Sequence, residues 1–170
     1  MERAKELTLI LLLISVAFFS VSVLAQQDKP KSVVLANSID YELASDFFEF
    51  LRNRGIEVIH SAAADFGQYK ETKFIVILGG HEAYEGVGDI VKGILTPQEM
   101  KYIKSEGNRK MYIKTNVWAM GQVVMVIAGS DRHQTKKSHE ENRNSVSSAA
   151  VEAYKPTWTP APPKDKGNLT

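Results

Sequence analysis

Two hydrophobic segments decide how this chain folds: Phe74-Ile-Val-Ile-Leu-Gly-Gly80 and Val123-Val-Met-Val-Ile-Ala-Gly129. Each is an apolar run of strand length that stops at glycine and is followed by polar residues. Such a run is typical of a β-strand buried on both faces, as in the parallel sheet of an α/β protein. Ligands of such sheets bind beyond the carboxyl ends of the strands. The two loops that follow these segments are therefore the predicted location of any site.

The chain before the first segment has a strand-helix-strand pattern. Residues 32–36 predict a strand, and residues 41–54 predict an amphipathic helix with Ser38 or Asp40 as its N-cap. A second short strand is predicted over residues 56–59.

The chain after the first segment continues with helices and a hairpin. A helix is predicted around residues 89–95, and Thr96-Pro-Gln-Glu99 has the pattern of a capping box that begins another. Residues 111–117 and 122–128 are joined closely enough to form an antiparallel hairpin. A polar helix then begins at residue 131, with Ser130 as its predicted N-cap. This order predicts the fold class α/β, as a small three-layer sandwich with a mostly parallel sheet and one antiparallel edge hairpin.

The N-terminal segment has the features of an export signal. Arg3 and Lys5 precede an apolar stretch over residues 7–24, and Val23-Leu-Ala25 suits cleavage by signal peptidase. Residues 1–25 are thus predicted to be a secretory signal peptide. The alternative is an uncleaved anchor, in which case residues 7–24 are the membrane contact. Both alternatives place the remainder outside the cell or at its surface.

The composition indicates the domain boundaries and excludes some classes of binding partner. Residues 26–31 are a predicted linker, 32–146 one α/β domain, and 147–170 the end of a helix followed by a proline-rich disordered tail. Basic and acidic side chains are equal in number within 31–146, which argues against a nucleic-acid partner and gives no case for an anionic membrane surface. The absence of cysteine excludes disulfides and thiolate chemistry. No cofactor is predicted.

Polar residues after the two hydrophobic strands supply the candidate site. If the two loops adjoin, His81, Glu82, Asp131 and His133 could converge as an N/O metal site. Polar side chains are also the ordinary composition of exposed loops, and the spacing matches no known ligand motif. The Ser130-Asp131-x-His133 sequence lacks the geometry expected of a catalytic triad, so no catalytic residue is predicted.

The predicted binding surface is the loop edge at the carboxyl ends of the strands, with Tyr84 or Trp118 adding apolar contact area. Its predicted members are Asn37, Asp40, Gly79, Gly80, His81, Glu82, Tyr84, Ser130, Asp131, Arg132 and His133.

Two stretches of the chain, Leu78-Gly-Gly80 and residues 118–137, resemble domains of archaeal S-layer and related cell-surface proteins. The shared pattern is a strand ending in Gly-Gly, then tryptophan, a glycine turn, a hydrophobic strand, Ala-Gly and a polar pair before a helix. The resemblance implies a small exported domain of a surface-protein lineage.

The function expected from these patterns is a non-catalytic binding or interaction domain associated with the cell envelope. Its partner would be an envelope protein, a wall polymer or a second copy of the chain. The competing hypothesis is a small extracellular metal-dependent hydrolase that uses the four possible metal ligands.

Overall fold

The computed structural model describes residues 29–155, and the predicted signal segment and proline-rich tail lie outside them. The strands are β1 (Lys31–Ala36), β2 (Glu57–Ser61), β3 (Phe74–Leu78), β4 (Arg109–Thr115) and β5 (Val123–Gly129). The helices are α1 (Ser38–Leu43), α2 (Ser45–Asn53), α3 (Val87–Lys92), α4 (Pro97–Lys104) and α5 (Arg132–Ala153), with a short 3₁₀ helix at Phe66–Tyr69. Across residues 29–155, no helix combines the length and apolar character needed to cross a bilayer.

The five strands form one sheet in the order β2-β1-β3-β5-β4. Strands β1, β2, β3 and β5 are parallel, and only β4 runs antiparallel, paired with β5 at the edge. The two hydrophobic segments are direct neighbours, with Phe74 opposite Val123 and Leu78 opposite Ile127. The predicted α/β fold with a mostly parallel sheet and an antiparallel edge pair is therefore confirmed.

Helices cover both faces of the sheet because successive side chains of its central strands point to opposite sides. On one face, Val34, Val76 and Met125 pack with α2 and with the C-terminal part of α5. On the other face, residues such as Ile75 and Val126 pack with α3, α4 and the 3₁₀ helix. This arrangement accounts for the unbroken apolar sequence of β3 and β5, since neither face of these strands meets water.

Three helix boundaries differ from the sequence-based prediction. The predicted single helix over 41–54 is two helices, α1 and α2, separated at the fully buried Ala44. The N-cap of α1 is Asn37, whose side chain accepts from the Asp40 amide, so the prediction of Ser38 or Asp40 was wrong. Ser130 does not cap α5 either.

The chain ends of the central strands define two opposite edges of the domain. We call the edge at which β1, β3 and β5 end the carboxyl edge, and the edge at which they begin the amino edge. Helix α5 starts at the carboxyl edge and returns to the amino edge, where Tyr154 packs in the core and Lys73, just before β3, lies over its ring. The packed domain thus includes residues beyond 146.

Candidate functional site: a cleft at the carboxyl edge

A cleft of about 270 Å³ opens at the carboxyl edge, between the loops that follow β1, β3 and β5. These strands are consecutive in the sheet, so their parallel orientation brings the three loops together. The end of α4 forms a further wall. The lining residues are Asn37, Ile39, Asp40, Gly79, Gly80, His81, Glu82, Ala83, Tyr84, Ile103, Lys104, Gly129, Ser130, Asp131, Arg132 and Thr135.

A buried carboxylate is the main polar feature of the cleft wall. Asp40 is only 7 % exposed, and its Oδ2 accepts a hydrogen bond of 2.7 Å from Asn37 Nδ2. Its Oδ1 receives no hydrogen bond from residues 29–155, and the carboxylate has no ion-pair partner among them. Burial raises the pKa of Asp40, while the bond from Asn37 and the charge of Arg132 oppose that rise. The cleft therefore contains an acceptor whose hydrogen-bonding capacity is incompletely used.

The loop after β3 is held in position by close packing at Gly79 and by hydrogen bonds between Glu85 and Ser38. Gly79 has a φ of 120°, which side-chain-bearing residues rarely adopt, and a Cβ on it would lie 2.8 Å from the Ala83 Cβ. Farther along the loop, the Glu85 carboxylate accepts from Ser38, at 2.9 Å from its amide and 2.6 Å from its hydroxyl. These bonds lower the pKa of Glu85. They tie the β3 loop to the start of α1.

Glu82 is paired with a cation from another element. Its Oε1 accepts from Lys104 Nζ at 2.6 Å, and this hydrogen bond lowers the pKa of Glu82. The His81 Nε2 lies 3.8 Å from the same oxygen. The His81 Nδ1 is buried without a hydrogen-bond partner among the described residues. The Glu82 charge is thus already compensated by an ion pair, whereas Asp40 forms no ion pair with the described residues and is influenced by Arg132 only through its charge.

The start of α5 forms the third wall. Asp131 is the N-cap, because its Oδ1 accepts from the Gln134 amide at 2.8 Å. Ser130, the predicted cap, instead accepts from the Gly107 amide and donates its own amide to the Asn108 carbonyl. Ser130 therefore fixes the position of the α4–β4 connection.

The structure brings together all the predicted binding residues except His133, which is exposed and does not line the cleft. Trp118 lies in the β4–β5 connection at the amino edge, where it packs edge-on against Phe66, so only Tyr84 of the two aromatics belongs to the cleft. Within residues 29–155, no group of three or more metal-ligating side chains is placed to hold an ion. The four residues of the alternative metal-site hypothesis accordingly form no common coordination site.

Six lining residues were not among the predicted binding residues: Ile39, Ala83, Ile103, Lys104, Gly129 and Thr135. Ile103 and Lys104 belong to a different element from the others, because they come from the end of α4 rather than from a strand end or from a loop or helix start that follows a strand. Lys104 reaches Glu82, and Ile103 is buried beneath Gly80, where its Cδ1 would lie 3.2 Å from an added Cβ. The alternation of Lys and apolar residues in α4 predicts an amphipathic helix but not which residue meets the β3 loop.

Comparison with known proteins adds no assignment: no family model matches the chain, and no curated protein matches it either.

Proposed function

We propose that this protein is an exported, cell-envelope-associated binding domain, and that its cleft binds the saccharide units of a wall polymer without catalysing a reaction. The observation that carries the proposal is Asp40, a buried carboxylate in the cleft wall with one oxygen bonded to Asn37 and the other without a donor from the described chain. A hydroxyl group of a sugar is a donor that could complete this site without introducing charge.

The rest of the cleft suits a neutral ligand that both donates and accepts hydrogen bonds. Arg132 is a donor in the wall, while Lys104 is neutralised by Glu82. Tyr84 is 66 % exposed and lines the cleft, so its ring offers an apolar face to the C–H side of a sugar. The volume is near the lower limit of about 300 Å³ for small-molecule pockets, which favours one sugar ring at a time.

The cellular location in this proposal comes from the sequence. The apolar segment over residues 7–24, the small residues before position 26 and the resemblance to archaeal surface-protein domains all support export to the envelope. The competing hypothesis of a metal-dependent hydrolase gains no ligand cluster from residues 29–155.

We expect Asp40→Asn to weaken saccharide binding by about tenfold or more, because hydrogen bonds to charged groups contribute about 1.5–3 kcal/mol. The measurement is isothermal titration calorimetry of the chain with neutral and acidic oligosaccharides. Glu106→Gln serves as the matched control, since Glu106 is an exposed acid that does not line the cleft.

Two results would contradict the proposal. One is a chain that binds no saccharide in the panel. The other is a saccharide that Asp40→Asn binds as tightly as the unsubstituted chain does, because the carboxylate would then have no part in recognition. Circular dichroism of the variant separates lost binding from lost folding.

A further inference from the structure

The amino edge, opposite the cleft, presents a fully exposed apolar side chain on a firmly held loop. Met120 is 98 % exposed at the tip of the β4–β5 connection. That connection is closed by the Asn116 side chain, whose Oδ1 accepts from the Gly121 amide at 2.7 Å. Met120 is therefore displayed by a loop with a defined conformation.

The same loop is anchored to the segment before β3. Gln122 is 1 % exposed, and its Nε2 donates to the carbonyls of Lys70 at 2.6 Å and Thr72 at 2.7 Å. Its Oε1 accepts from the Trp118 amide at 3.1 Å. The apolar tip consequently lies beside the lysine-bearing segment 70–73, and the two form one surface.

Basic side chains are concentrated at this edge although basic and acidic residues are equal in number within 31–146. The amino edge includes the start of β1, the end of α2 with its following turn, and the segment before β3. The exposed cations of these parts are Lys29, Lys31, Arg52, Arg54, Lys70 and Lys73.

Acidic side chains do not neutralise this edge. Within the described part of the chain, none of these six cations forms an ion pair. Glu57 and Glu71 are the nearby acids in sequence, and Glu152 is paired with Lys155. Asp40, Glu82, Glu85 and Asp131 lie instead at the carboxyl edge. The equal totals of basic and acidic residues therefore hide a cluster of cations without ion pairs at the amino edge, whereas Lys104 and Arg109 at the carboxyl edge are paired with Glu82 and Glu141.

The apolar N-terminal stretch joins the domain at this same edge. Residues 7–24 are apolar in sequence, and β1 begins at Lys31. The residues between them, 25–30, extend to at most about 20 Å at roughly 3.5 Å per residue. If residues 7–24 stay attached as the uncleaved anchor, which is the alternative to signal-peptide cleavage, the bilayer that holds them lies within reach of Met120 and the cations of the amino edge.

From these observations we propose that the amino edge of the domain rests on an anionic lipid bilayer, with Met120 entering the headgroup region and the lysines and arginines contacting lipid phosphates. A basic surface with an apolar tip matches the chemistry of such an interface. The cleft then opens away from the membrane, toward the polymer or protein layer outside it. The membrane contact is independent of what the cleft binds.

The test measures the distance between each edge and the lipid chains. The full chain with Trp158→Phe, in which Trp118 is the remaining tryptophan, is incorporated into vesicles of phosphatidylglycerol and brominated phosphatidylcholine. We expect brominated lipid to reduce Trp118 emission, because contact at interfacial depth brings the indole ring near the brominated acyl chains. The matched control has a single tryptophan in the cleft. It combines Tyr84→Trp with Trp118→Phe and Trp158→Phe, and brominated lipid should not change the emission of the tryptophan at position 84.

Charge and apolar variants test the cause of the contact. We expect the quenching of Trp118 to decrease in Met120→Glu, whose exposed side chain has no packing contacts to lose. We expect the same decrease in the double variant Lys31→Gln with Lys70→Gln. Each lysine removed near an anionic surface lowers the contact equilibrium about fivefold. Salt should act in the same direction.

Absence of quenching at Trp118 would overturn the proposal, and so would equal quenching at the two probe positions. Quenching that is insensitive to Met120→Glu, to the lysine pair and to salt would overturn it as well. If lipid does not quench Trp118, and if the chain dimerises in solution and Met120→Glu restores the monomer, then the amino edge is the contact with a second copy of the chain and not with a membrane.

Discussion

Replacing Gly129 by alanine is expected to destabilise the domain by about 3 kcal/mol or more, at the upper end of the range for overpacking substitutions. A Cβ on Gly129 would lie 2.5 Å from the carbonyl carbon of Gln134 and 2.6 Å from the Thr135 nitrogen. Both are backbone atoms in the first turn of α5, so a side-chain rotation cannot relieve the overlap. The start of the longest helix must move away from the end of β5.

That movement would also open the cleft, because Gly129 and Thr135 both line it and the Gly129 amide donates to Thr135 Oγ1 at 3.1 Å. Urea unfolding followed by circular dichroism measures the loss of stability. Gly67→Ala is the matched control, since no atom lies within 4 Å of its added Cβ. It should change the free energy of unfolding by less than about 1 kcal/mol. Equal stability of the two variants would contradict the packing argument.

Acidification is expected to destabilise the domain through a buried histidine. His139, on α5, is 2 % exposed and its ring lies 5.1 Å from that of Phe47. Neither ring nitrogen has a hydrogen-bond partner among the described residues. Burial, assisted by the charge of Lys136 and opposed by Asp46, lowers the pKa of His139 from 6.5 to about 4. The folded state therefore holds this imidazole neutral at a pH where the unfolded chain protonates it.

The direction of the pH effect follows from that difference in proton binding. Well above pH 6.5 neither state protonates His139, and its contribution to stability is complete. Between 6.5 and about 4 the unfolded state binds the extra proton, so stability falls as the pH falls. The expected loss is about 2 kcal/mol by pH 5 and at most about 3 kcal/mol in total.

The contribution of His139 to the free energy of unfolding is measured by urea unfolding of the native chain and of His139→Leu, from pH 8 down to about pH 5. The leucine variant should lose less stability on acidification. Taking the difference in the free energy of unfolding between the two chains removes the contribution of carboxylates that titrate in both. His133→Gln, at an exposed histidine of the same helix, should keep the native pH dependence. Parallel curves for the native chain and His139→Leu would show that His139 does not titrate on unfolding.

Local patterns predicted most of the fold because they reflect short-range physics. Strand β3 has the bounds that its apolar run predicts, and the Thr96 capping box is present with both of its hydrogen bonds. The break between α1 and α2 could not be predicted in this way, since the apolar spacing continues through Ala44. Hydrogen bonds accepted by the side-chain oxygens of Asn37 and Asp131 decided the caps where several polar residues competed.

The sequence by itself determined that two buried strands end in glycine and polar loops, and that an apolar segment precedes the domain. Only the tertiary structure decided that Asp40 is buried in the wall of a cleft, that Lys104 neutralises Glu82, and that Trp118 and Met120 lie at the opposite edge. The physical reason is that local spacing sets which residues are apolar and where elements begin. The burial of a charge and the clustering of unpaired cations at one edge depend on which distant segments the sheet places side by side.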